Sequence, residues 1–126
     1  MNARMAFSVF LLSLSGGAFA SSDSFPTTNK SVSQICEDIE KRGGYAVYDY
    51  TDHLMETEGY VRLFSNSNVS GRFLLRGKND SSNAVIVNAY PEDVHSLNSN
   101  NKQNVRGVIT GINTDDGCVI TINTRR

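Results

Sequence analysis

Long apolar runs, histidine, cysteine and any excess of charge are all scarce in this chain of 126 residues. The longest apolar stretch, residues 5–14 (MAFSVFLLSL), spans about ten residues, whereas a helix crossing a bilayer needs roughly 20. No membrane span is therefore expected. Twelve Lys and Arg stand against 13 Asp and Glu, a net charge of −1. That balance exerts no global pull on nucleic acid or anionic lipid, so any such binding requires a local patch. The two histidines, His53 and His95, are far apart in sequence, and zinc sites show close ligand pairs with further Cys or His. No metal site is expected. GxSxG, HExxH and P-loop patterns are missing, as is the CxxC of a redox site. Glu56 and Glu58 share a strand face but have no nucleophile near them. Asp115-Asp116-Gly117 lacks the spaced oxygen ligands of a calcium loop and reads as a hairpin turn, Asp-Gly being favoured for its positive φ angles. The expectation is a non-enzymatic chain with no cofactor and no metal.

What is present begins with an export signal. Arg4 places positive charge ahead of the apolar run, Ser15-Gly16-Gly17 loosens the chain, and Ala18-Phe19-Ala20 supplies the small-x-small pattern of a signal-peptidase site. These features predict a signal peptide over residues 1–20, cleaved near Ala20, and a periplasmic or secreted product. Ser21 rather than Cys follows the cut, so no lipoprotein anchor is indicated. Cleavage removes Arg4 alone among the charged residues and leaves roughly 100 residues, one domain's worth. Export also delivers Cys36 and Cys118 to an oxidising compartment, where two thiols in one small domain pair. The long loop so closed would contribute about 4–5 kcal/mol, against a total stability of about 5–15 kcal/mol.

Residues 21–30 (SSDSFPTTNK) read as a flexible leader, and residues 31–126 as a single domain. Ser31 and Gln34 form a capping box, and Val32, Ile35, Cys36 and Ile39 follow at helical spacing as one apolar stripe. Lys41 and Arg42 suit the negative end of the helix dipole, and Gly43-Gly44 stop it. Beyond them the pattern turns to β. Residues 45–50 (YAVYDY) read as a short strand or an extended connector. Residues 54–64 alternate, with Met55, Thr57, Gly59, Val61 and Leu63 on one face and Glu56, Glu58, Tyr60, Arg62 and Phe64 on the other. Gly59 in mid-strand predicts a bulge or sharp bend. Further strands are expected at 72–77, 84–89, 105–112 and 118–124, with one or two helical turns at 91–97, where Pro91 precedes two acids. Strand, strand, strand, short helix, strand, strand is the order of a five-stranded OB barrel. The predicted class is mainly β, an OB-like barrel preceded by an N-terminal helix. An open α+β sheet with that helix on one face is the alternative.

The segments METEGYV, SGRFLLRG, AVIVNAYPEDVHSL and QNVRGVITGI, within residues 54–124, resemble the small bacterial tRNA_anti-like OB-fold proteins, which are often exported. The resemblance implies a barrel and a binding role, and no catalytic signature travels with it. A second resemblance, to enterotoxin B subunits of the cholera type, rests on a helix Cys joined to a Cys on the last strand, as Cys36 and Cys118 would be. It implies glycan binding by a ring of subunits. The sequence departs from it in having no Trp for a sugar pocket and only a short helix at 91–97.

The candidate site follows from the OB reading, since strands two and three with their neighbouring loops form the usual ligand surface of that fold. Tyr60, Arg62 and Phe64 alternate on the first strand, and Arg72, Arg76 and Lys78 lie on or just after the second. Aromatic rings stack on bases or sugars, and Arg and Lys hold phosphates or carboxylates. An alternative stands beside this one, in which Tyr60 and Phe64 cover the barrel under the N-terminal helix and the arginines only solubilise. The expected partner is a protein, a glycan or a small anionic ligand. Export argues against nucleic acid. The functional expectation is an exported, non-catalytic OB-fold binding domain, with a toxin-type glycan-binding subunit or an inhibitor or immunity protein as alternatives.

Overall fold

Ser31 and Gln34 begin the first helix as their residue types require. In the computed structural model, which describes residues 25–77 and 83–125, helix α1 runs Val32–Arg42. The Gln34 N–H donates to Ser31 Oγ at 3.2 Å and the Ser31 N–H to Gln34 Oε1 at 2.8 Å, satisfying two N–H groups that a helix start leaves free. Ile35, Cys36 and Ile39 form the buried stripe. Gly43 closes the helix at φ 87°, donating its N–H to the Ile39 carbonyl at 2.7 Å. The expected signal segment 1–20, the start of the leader and Lys78 lie outside the described residues.

Residues 45–50 are neither strand nor extended connector: a 3₁₀ helix spans Gly44–Asp49. The leader, rather than this segment, pairs with β1 at Leu54, and i→i+3 turns satisfy the segment's backbone locally. Ala46 is buried, while Tyr45 and Tyr48, three residues apart and so on one side of the 3₁₀ helix, are 84% and 79% exposed.

Five strands follow, β1 (Leu54–Leu63), β2 (Arg72–Arg76), β3 (Asn83–Asn88), β4 (Lys102–Asn113) and β5 (Cys118–Asn123). They close in the order β1-β2-β3-β5-β4, with β3 and β5 parallel and the other neighbours antiparallel. This is the five-stranded OB-like barrel that the strand order predicts. The short helices α2 (Ser67–Ser70) and α3 (Pro91–Val94) sit in the β1–β2 and β3–β4 connections. Alternation fills the interior with Met55, Val61, Phe73, Leu75, Val85, Val87, Ile109, Ile120 and Ile122, and closure removes the sheet edges that would invite association.

Gly59 sits where β1 changes partners. Leu54 to Tyr60 pair with β4, and Tyr60 to Leu63 pair with β2. A Cβ at Gly59 would lie 3.0 Å from the Arg76 carbonyl oxygen, so a side chain there would push the neighbouring backbone aside by a few tenths of an ångström. The ladder irregularity lies instead in β4, between Ile109 and Gly111. β4 also starts earlier than its apolar pattern indicates, at Lys102 rather than 105, because β1 offers pairing partners as far as Tyr60.

Two ties fasten the preceding residues to the barrel. Cys36 and Cys118 form a disulfide with Cα atoms 6.1 Å apart, joining α1 to the first residue of β5. Part of the expected leader is also pinned: the Leu54 N–H donates to the Pro26 carbonyl at 2.7 Å and the Thr28 N–H to the Leu54 carbonyl at 2.9 Å.

Candidate functional site

The inward alternation of Met55 and Val61 on β1, and of Phe73 and Leu75 on β2, turns Tyr60, Arg62, Arg72, Leu74 and Arg76 outward. Register then decides which of them meet. Tyr60 opposes Arg76 and Arg62 opposes Leu74; Phe64 and Arg72 follow just beyond the last pair, Leu63 with Phe73. Arg62 and Arg72 are thus diagonal neighbours, which lie about 7–8 Å apart in such a pair, their Cβ atoms somewhat closer. Arg62, Phe64 and Arg72 are exposed, while Tyr60 and Arg76 are half-buried. Five of the six candidate residues therefore share one outward surface, and the sixth, Lys78, lies outside the described residues. α1 packs chiefly on β3 and the 3₁₀ helix, and Phe64 stays 41% exposed.

A buried hydroxyl holds the Phe64–Arg72 end of this surface together. Ser67, 2% exposed, is the one buried polar residue among the described residues. Its Oγ accepts the Phe64 N–H at 2.8 Å and donates to the Arg72 carbonyl, replacing the ladder rung that β1 and β2 would make next. Gly71, at φ 79°, then starts β2 so close to the neighbouring connection that a Cβ would stand 2.0 Å from the Ala89 oxygen.

Residues outside the predicted set border the same surface. Lys102 of β4 flanks Tyr60 on the side opposite Arg76 and pairs with Glu58 at 3.4 Å. Leu74 opposes Ile86, and Arg72 opposes Asn88, on β3. These contributions come from strands distant in sequence, and only an explicit OB strand order, with β4 beside β1, could have indicated Lys102.

A second polar region, a shallow cleft of about 660 Å³, lies between the leader, α1 and the 3₁₀ helix. Arg42 donates Nε and Nη2 to the two Asp38 oxygens at 2.7 Å each and reaches Asp49 Oδ2 at 2.8 Å, while the Tyr50 hydroxyl donates to Asp38. The Arg42 fork, followed by the Tyr50 hydroxyl, holds the Asp38 carboxyl well below the usual carboxylate range. Burial, and then the bond to Asp38, pushes the Tyr50 hydroxyl up. Arg42 bridges Asp38 of α1 and Asp49 of the 3₁₀ helix, so the network secures α1 to the 3₁₀ segment. The histidines stand apart: His53 Nδ1 lies 3.2 Å from the Thr51 carbonyl and His95 Nε2 3.2 Å from that of Asn68. Among the described residues no three His, Cys, Asp or Glu gather as a metal site, and no helix is long and apolar enough to cross a membrane.

No protein-family model and no curated protein matches this sequence. One similar solved structure is a lipoprotein from Klebsiella pneumoniae subsp. pneumoniae, provisionally described as nucleic acid-binding. It has a TM-score of 0.56 and 16% identity, over 86% of this chain and 96% of that one. At that identity the likeness establishes a shared barrel fold and nothing about the ligand. It agrees with a small OB-like barrel; the narrower tRNA_anti-like assignment has no matching family model behind it.

Proposed function

We propose that this protein is an exported, non-catalytic OB-barrel binding domain whose ligand face is the outward surface of β1 and β2. The observation that carries the reading is the placement of exposed Arg62 and Arg72 beside Phe64 and Tyr60 on adjacent strands. Rings and guanidinium groups at that spacing suit a ligand that is anionic and partly planar. Export is supported by the N-terminal signal pattern and by a disulfide, which persists in oxidising compartments. Export is a weaker argument against nucleic acid than the sequence suggests, because the similar Klebsiella protein carries both descriptions, lipoprotein and nucleic acid-binding. The binding role has a direct test. Arg62→Ala and Arg72→Ala should abolish binding of an anionic probe, oligothymidylate or a sulfated oligosaccharide, at unchanged melting temperature. A fall in melting temperature with binding retained would assign these residues to structure instead.

One observation favours a second reading. The disulfide joins an N-terminal helix to the last strand, the arrangement on which the likeness to toxin B subunits rests. Against it, α3 has only four residues, too few to line the pore of a ring. Size-exclusion chromatography with light scattering separates the two, since a monomer excludes the ring.

A further inference from the structure

The helices α2 and α3 pack together at one end of the barrel, each pinned by one buried side chain, Ser67 in α2 and Val94 in α3. Polar contacts lock the pair. The Ala89 N–H donates to the Gly71 carbonyl at 2.8 Å, and His95 Nε2 lies 3.2 Å from the Asn68 carbonyl. Arg125 closes the same end, its Nε donating to the Ala89 carbonyl at 3.0 Å and its Nη2 to the Ser70 carbonyl at 2.9 Å. The outer surface of this end is therefore ordered before any partner arrives.

Val69 stands on that surface, 80% exposed. Among the described residues the other large apolar side chains left exposed are all aromatic, and three of those four are tyrosines whose hydroxyl suits water; valine offers water nothing. Tyr90 and Phe64, also exposed in part, stand on the segments that Arg125 and Ser67 tie to α2, so Val69 belongs to a patch. Unpaired charges of both signs border it. Arg125 lies over Tyr90, its guanidinium carbon 5.9 Å from the ring centre, and Glu92 and Asp93 follow Tyr90 in the first turn of α3. All three are exposed, yet among the described residues none of them forms an ion pair, whereas Arg42 and Lys102 both do.

We infer that this end of the barrel is a self-association surface and that its occupant is a second copy of this chain. An apolar centre flanked by unpaired charges of both signs is complementary to itself. Across a two-fold axis near Val69, Arg125 of one copy meets Glu92 and Asp93 of the other, and the reciprocal pairs form by symmetry. A polyanion suits this end poorly, because the two acids repel it. The inference stands apart from the ligand proposed for β1 and β2. Bonds to two carbonyls already hold the Arg125 head, which lowers the ordering cost of association. The patch is small, so the dimer is a weak and reversible one.

The test is sedimentation equilibrium of the exported protein over a concentration series reaching about 1 mM, the limit of weak association. The weight-average mass should climb from the monomer value towards twice that value, and Val69→Asp should hold it at the monomer. Arg125→Glu leaves only acids around the patch, and Glu92→Lys/Asp93→Lys leaves only bases, so each variant alone should associate less than the native chain. An equimolar mixture of the two should recover the dimer, because every facing pair is again opposite in sign. Circular dichroism melts of each variant identify any loss of association that is merely loss of fold. A constant monomer mass up to the highest concentration would overturn the second copy as occupant and leave the patch to a different protein. A dimer that survives Val69→Asp but is lost in Tyr48→Ser would move the interface to the 3₁₀ helix and overturn the assignment. Folded charge variants whose mixture recovers nothing would overturn the two-fold pairing, and a mass beyond the dimer would overturn the closed pair.

Discussion

Removing the Cys36–Cys118 disulfide should be among the most damaging changes this domain can suffer. The crosslink closes a loop with a sequence separation of 82. In the chain-entropy treatment a loop of that length restricts the unfolded state by roughly 15 cal/mol/K, which is about 4.5 kcal/mol at 25 °C. Total stability for such a domain is about 5–15 kcal/mol, so the bond accounts for roughly 30% of it or more. Both cysteines are buried, and alanine at each position removes the sulfur without leaving a polar group to desolvate. The assay is equilibrium urea unfolding of the oxidised protein beside Cys36→Ala/Cys118→Ala. With an m-value of about 1–2 kcal/mol/M, the midpoint should fall by roughly 2–4 M. The m-value should itself rise, because the uncrosslinked chain unfolds to a more expanded ensemble. A midpoint shift worth less than about 1 kcal/mol, with m unchanged, would refute the reasoning, since it would show that α1 and the barrel hold together without the constraint.

Other substitutions address the site and its supports. Ser67→Ala strands the Phe64 N–H and the Arg72 carbonyl, at about 1–3 kcal/mol for each buried group left unsatisfied, and a thermal melt should show the loss. Gly71→Ala places a Cβ 2.0 Å from the Ala89 oxygen, at a positive φ, and should lower stability severely; Gly111→Ala, whose Cβ meets nothing within 4 Å, should stay within about 0.5 kcal/mol. The Asp38 carboxyl is held low by Arg42 first and Tyr50 second, so the unfolded chain binds that proton more readily than the folded one. The resulting stability is present above the ordinary carboxylate range and is lost as pH falls below about 4. Melting temperature measured from pH 6 downward should show this acid limb, and Arg42→Gln should flatten it. Tyr50 is raised chiefly by burial, so its contribution is present below about pH 10 and lost above it. Tyr50→Phe should weaken that alkaline limb.

What could be read directly from the chain was whatever its local chemistry decides. The capping box of Ser31 and Gln34, the apolar stripe of α1 and its glycine stop depend on groups within one or two helical turns. The two faces of β1 depend on a period of two, and they emerged as read. Strand order with a helix before the fourth strand was enough to indicate an OB-like barrel, and the two cysteines were enough to indicate a disulfide. Elsewhere the outcome belonged to distant neighbours. YAVYDY alternates well enough for a strand, yet the leader takes the pairing position beside β1 at Leu54, and YAVYDY coils as a 3₁₀ helix that exposes Tyr45 and Tyr48. Lys102 joins β4 only because β1 extends far enough to receive it, and Arg125 meets the Ser70 and Ala89 carbonyls only because the chain folds back after β5. Periodicity can tell a side chain which way to point; register, closure and the paths of the connecting segments decide what it finds there. That is why five of the proposed site's residues were visible in sequence, and why Lys102, which borders them, was visible only in the folded barrel.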